Sequence, residues 1–79
     1  MTKMQIANKA DMIINGYAFI QNDNFIRVIN LHRLNRACVL DKNGEVEETS
    51  MDPIEQQIVL GYFEQNKVFL PEITNAEIL

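Results

Sequence analysis

The sequence predicts an α+β domain: a small antiparallel β-meander of about four strands in two hairpins, with an amphipathic C-terminal helix packed on one face and a short N-terminal helix. Three observations carry this expectation. MDPIEQQIVLGYFEQNK, residues 51–67, joins a helix start signal to helical periodicity. Upstream, two pairs of aromatic and β-branched runs are each split by Asn-, Asp- or Gly-containing turns. Between those runs there is no room for a crossover helix, so neighbouring strands must run antiparallel.

Residues 1–15 admit two readings. As a helix, Thr2 caps the start with Gln5 as its capping-box partner, Ile6, Ala10, Ile13 and Ile14 share a face, and Gly16 ends the element. As a hairpin, Met12 to Phe19 folds back through Asn15-Gly16. The helix is the favoured reading.

Residues 16–50 form the expected sheet. Tyr17-Ala-Phe-Ile-Gln and Phe25-Ile-Arg-Val-Ile-Asn-Leu flank Asn22-Asp23-Asn24, whose side chains bond their own main chain and tolerate left-handed backbone. The connector NLHRLNR follows, with His32 to Asn35 making the turn and Leu34 at an exposed tip. Arg36-Ala-Cys-Val-Leu-Asp and Glu45-Val-Glu-Glu-Thr then flank Lys42-Asn43-Gly44, where Asn-Gly supplies the positive φ angles of a tight turn. Strict alternation puts Glu45, Glu47 and Thr49 on one face of the last strand and Val46 with Glu48 on the other. Val46 is then the inward anchor, and the glutamates guard an edge.

Residues 52–67 make the second helix. Asp52 is a preferred N-cap, Pro53 suits the first helical position, and Glu55 completes an Asp-x-x-Glu capping box. At about 100° per residue, Ile54, Ile58, Val59, Tyr62 and Phe63 form a stripe expected to face the core. Leu60 projects from the polar side, and Gly61 sits in a helix interior where glycine costs about 1 kcal/mol relative to alanine. In the tail, 68–79, Val68-Phe69-Leu70 is apolar and Pro71 blocks regular continuation.

The 79 residues read as one domain, near the lower size at which a single core suffices. Hydrophobic residues make up 47% and charged ones 23%, a globular composition rather than a disordered one. A lone cysteine, Cys38, allows no internal disulfide, and Gln5, Asn8, Lys9 and Asp11 interrupt any signal-like apolar run. A reducing cytoplasm is the expected home. The net charge of −4 divides unevenly: residues 1–40 carry five basic and two acidic side chains, residues 41–79 two basic and nine acidic. Such a division suits a basic face for an anionic partner, or head-to-tail self-association.

No catalytic or metal motif survives testing. His32 and Cys38 are the single members of their types, too few for a zinc set, and Cys38 lies in an apolar run that favours a buried, inert thiol. Aligning Gly44 with the glycine of a calcium loop puts Val39 at the first ligand position and Ser50 at the last, so that match fails. Gly16, Gly44 and Gly61 are too scattered for a phosphate-cradling loop. The expectation is a non-enzymatic interaction or regulatory module without cofactor or metal, partnered by a protein or by itself, with no membrane association. Leu60, Gly61, Val68 and Phe69 are the candidate self-association surface. Arg27, His32, Arg33, Leu34 and Arg36, with Tyr17, Phe19 and Phe25 as stacking surfaces, are an alternative for weak nucleic-acid or anion binding. Glu45, Glu47 and Glu48 are a candidate acidic surface for a basic protein.

Overall fold

A computed structural model describes residues 2–67. Their order is α1 (Lys3–Lys9), β1 (Met12–Ile14), β2 (Tyr17–Asn22), β3 (Phe25–Asn30), β4 (Ala37–Asp41), β5 (Val46–Thr49) and α2 (Pro53–Asn66). The strands form one antiparallel meander, β1-β2-β3-β4-β5, between two helices.

The meander has five strands where about four were expected, because both readings of residues 1–15 apply, each to its own half. Thr2 Oγ1 accepts from the Gln5 N–H at 3.2 Å while the Thr2 N–H donates to Gln5 Oε1 at 2.9 Å, so the capping box forms and α1 begins as expected. It ends at Lys9, and Ile13 and Ile14 leave the helical face for β1. Asn15 and Gly16 take φ of 48° and 83°, the pair of left-handed residues that a tight hairpin turn demands, and Ile14 pairs with Tyr17.

At the next turn Asp23 takes the positive φ, 50°. Beyond β3, Asn30 Oδ1 accepts from the N–H groups of His32 (2.8 Å) and Arg33 (3.1 Å), bending the chain into the connector. The connector closes where the Asn30 N–H donates to the Arg36 carbonyl, and the Leu31 N–H donates to the Gly16 carbonyl. In the last hairpin Gly44 alone has positive φ, 84°, since the Asp41 carboxylate takes the N–H groups of Asn43 and Glu45.

Strict alternation fails in β5. Cys38 pairs with Thr49, Val39 with Glu48, and Leu40 with Val46, so Glu47 is an extra, bulged residue. Val46 still turns inward, but Glu48 moves to the opposite face instead of sharing its side. One inserted residue thus re-aims a charge.

Phe19, Ile26, Val28, Cys38, Leu40, Met51, Val59 and Phe63 form the main core between α2 and one sheet face. On the other face Ile6 of α1 packs on Ala18, Ile29 and Leu31 in a smaller cluster. The expected stripe of α2 is corrected by a roll about the helix axis: Val59 and Phe63 are fully buried, but Ile54 (75% exposed) and Ile58 (46%) face outward. Leu60, expected on the polar side, packs against the core instead. Val68, Phe69 and the rest of the 68–79 tail lie outside the described residues.

Two glycine substitutions should move stability in opposite directions. A Cβ at Gly16 would sit 3.0 Å from the His32 ring at a φ of 83°, whereas one at Gly61 meets nothing within 4 Å. Gly16→Ala is expected to lower unfolding stability by about 1–2 kcal/mol, and Gly61→Ala to raise it by up to about 1 kcal/mol, both read from urea midpoints.

Candidate functional site

Among the described residues, the two faces of the sheet are covered unequally. Alternation along β3 and β4 sends Ile26, Val28, Cys38 and Leu40 toward α2, and Phe25, Arg27, Ile29, Ala37 and Val39 to the opposite side. There the seven-residue α1 reaches only the Ala18–Ile29 end. Beyond it Phe25 is left 46% exposed, Val39 half-buried, and Arg27 and Glu48 exposed.

This uncovered ground is a shallow trough. One depression of about 530 Å³ is lined by Ile6, Arg27, Leu34, Val39 and Glu48, among others. A second of about 380 Å³ lies between Asn22, Phe25, Arg27, Val39, Glu47 and Glu48. Arg27, Val39 and Glu48 line both, so the two are continuous. Neither Arg27 nor Glu48 has an ion-pair partner among the described residues. The trough is an apolar strip, with a cation on β3 and an anion on β5.

A different cluster lies at the start of α2. Glu55 Oε2 accepts from the Tyr17 hydroxyl at 2.7 Å and the Asn30 amide at 2.9 Å, while Arg36 stands 3.4 Å from Glu55 Oε1 and 3.4 Å from Asp52 Oδ2. The Glu55 side chain is only 12% exposed. The capping box expected here is therefore half-formed: Asp52 Oδ1 accepts from the Glu55 N–H at 2.8 Å, but the Glu55 carboxylate turns to the sheet. Burial pushes its pKa up, yet the hydrogen bonds from Tyr17, Asn30 and Arg36 and the Arg36 charge prevail, holding it below its ordinary 4.5. Burial first, then the Glu55 hydrogen bond and charge, push the Tyr17 hydroxyl from 10.0 up to about 12. These polar groups satisfy one another, which makes the cluster a fastening rather than a receptor.

The residues expected to form a basic surface are only partly brought together: Arg33 and Arg36 line one depression with Asp52 and Glu55, and the others lie apart. Arg27 lies in the trough, Leu34 at its rim, His32 over Gly16, Arg33 on the connector, and Arg36 against Asp52 and Glu55. Of the aromatic residues offered for stacking, Phe19 is buried, Tyr17 is bound to Glu55 with its ring 6.0 Å from that of Tyr62, and Phe25 alone is exposed. The acidic set also divides: Glu45 at a turn, Glu47 in the bulge, Glu48 in the trough. Gly61 points to solvent, while its neighbour Leu60 points inward. Cys38 lies on the α2 side, its thiol pushed up to about 11 by burial and by the Glu55 charge.

Local sequence patterns leave the Glu55 cluster unsignalled, because its partners are 38 and 25 residues distant in the chain. Val39 is equally unremarkable in sequence and becomes the middle of the trough only through register.

The Glu55 carboxylate has a lowered folded-state pKa, so its stabilisation is present above pH 4.5 and is lost as the pH falls through the folded value. Tyr17 has the opposite sign: its stabilisation is complete below pH 10.0 and is lost as the pH rises toward about 12. Glu55→Gln should flatten the acid limb of stability against pH, and Tyr17→Phe the alkaline limb. Glu55→Ala, which strands its donors, should cost about 1–3 kcal/mol in urea unfolding at neutral pH.

No helix among the described residues is long and apolar enough to cross a membrane. Neither a curated protein nor a solved structure matches the chain. A family model does match, over residues 1–70, a span that contains every described element and the whole trough. By that match the chain belongs to the family of unknown function DUF7723.

Proposed function

We propose that the protein is a cytoplasmic, non-enzymatic interaction module that works through the uncovered face of its sheet. The observation that carries this reading is the trough itself, where Phe25 and Val39 offer apolar surface between Arg27 and Glu48, charges that are unpaired among the described residues. A small domain has few large side chains to spare for solvent, and an apolar strip rimmed by charge is the usual composition of a surface meant to be covered. A protein partner suits it better than a nucleic acid. Arg36 is neutralised by Asp52 and Glu55, and Arg27 shares the trough with Glu47 and Glu48, so phosphates would meet repelling carboxylates. The buried thiol of Cys38 accords with a reducing compartment.

A photoreactive benzoylphenylalanine at position 39 should give covalent protein adducts on irradiation in the producing cells, whether to the chain itself or to another protein. The same group at Gln57, on the outward side of α2, should give few. Adducts at 57 but not at 39 would overturn the reading.

A further inference from the structure

The trough has a charge pattern that is complementary to itself. Register puts Arg27 opposite Val39 and Val39 opposite Glu48, so the three lie in one row across β3, β4 and β5. With neighbouring strands about 4.8 Å apart, the cation and the anion stand roughly 10 Å from one another with Val39 midway. A two-fold axis through Val39, parallel to the strands, exchanges the two ends of that row. Arg27 of one copy then faces Glu48 of the other, twice, and Val39 meets Val39. An axis across the strands would instead stack Arg27 on Arg27 and Glu48 on Glu48.

We infer that the trough is a homodimer interface, with a second copy of this chain laid face to face on β3–β5 about an axis parallel to the strands. The inference rests on the interaction-module reading and names its partner. Two-fold packing is isologous, so one charged row serves both copies and each Arg27–Glu48 contact is formed twice. Sheets packed face to face keep their strands within about 30° of each other and lie about 10 Å apart, a gap that Arg and Glu side chains reaching from opposite sides can bridge. The β5 bulge is what makes the pattern possible, because strict alternation would have sent Glu48 to the α2 side. Phe25, at the end of β3, is covered by the bulged strand of the other copy.

Charge reversal tests the pairing on the full chain by sedimentation velocity and by chromatography with light scattering. The wild type should give twice the 9.1 kDa monomer mass. Arg27→Glu alone and Glu48→Arg alone should each dimerise at least about tenfold more weakly, since like charges then face across the axis. An equimolar mixture of the two variants should recover dimer, now as the heterodimer, because every row then pairs opposite charges; a contact within one chain could not produce this. Circular dichroism of both variants checks that they fold, which their exposure favours. A wild type that stays monomeric overturns the second copy, as does a mixture no more dimeric than its components. If position 39 still forms adducts to some other protein, the interaction-module reading stands while the homodimer falls; if it forms none, both fall.

Discussion

Glu55 ties the start of α2 to the first face of the sheet. Its carboxylate, nearly withdrawn from water, holds the Tyr17 hydroxyl from β2, the Asn30 amide from the end of β3 and the Arg36 guanidinium from the connector. Withdrawing a carboxylate from water is costly unless its lone pairs are taken, and here three separate elements take them. Because Glu55 lies in the first turn of α2, turning it inward rolls the whole helix. Val59 and Phe63, four and eight positions on, then come to the sheet, and Ile54 and Ile58 are carried outward. An apolar stripe calculated without Glu55 points the helix the wrong way. Stability and pH response are linked through the same carboxylate, since the donors that hold it also hold its pKa down.

With α2 committed to one face, the other falls to α1, and α1 is too short for it. Seven residues cover Ala18, Ile29 and Leu31 and stop, because Met12–Ile14 is drawn into the sheet by the Asn15-Gly16 turn. The exposed trough is therefore a consequence of where the chain changes from helix to strand. The bulge in β5 adds the second ingredient by transferring Glu48 to that side. Coverage and charge are thus set by two local irregularities at opposite ends of the meander. Their product is a face that is apolar in the middle and oppositely charged at its two sides.

The same side chains look different once their partners are known. Arg36 resembles its neighbours Arg33 and Arg27 in sequence, yet its charge is engaged at the foot of α2, while theirs have no ion-pair partner among the described residues. His32 and Cys38 are six residues apart and belong to different surroundings: the histidine ring lies over Gly16 at a turn, and the thiol lies beneath α2. Leu60 and Ile58 exchange their expected roles through the roll of one helix.

What the sequence by itself determined is local. The capping box of Thr2 and Gln5, the N-cap of Asp52, the turns at Asn22–Asn24 and Lys42–Gly44 and the α+β class all follow from short-range chemistry, in which a side chain bonds backbone a few residues away. The Asn15-Gly16 turn was also legible, though as the less favoured of two alternatives, because helix and hairpin signals overlap in those fifteen residues. The candidate site was far less visible. Arg27, Leu34 and Glu48 were legible as charges or exposed tips, but Val39 joined them only through strand register, and Glu55 through partners 25 and 38 residues away. The tertiary structure alone decided which face α2 turns inward, where β5 bulges and which sheet face stays open. Those outcomes depend on strand register and on hydrogen bonds between residues far apart in the chain, which no window of neighbouring residues contains.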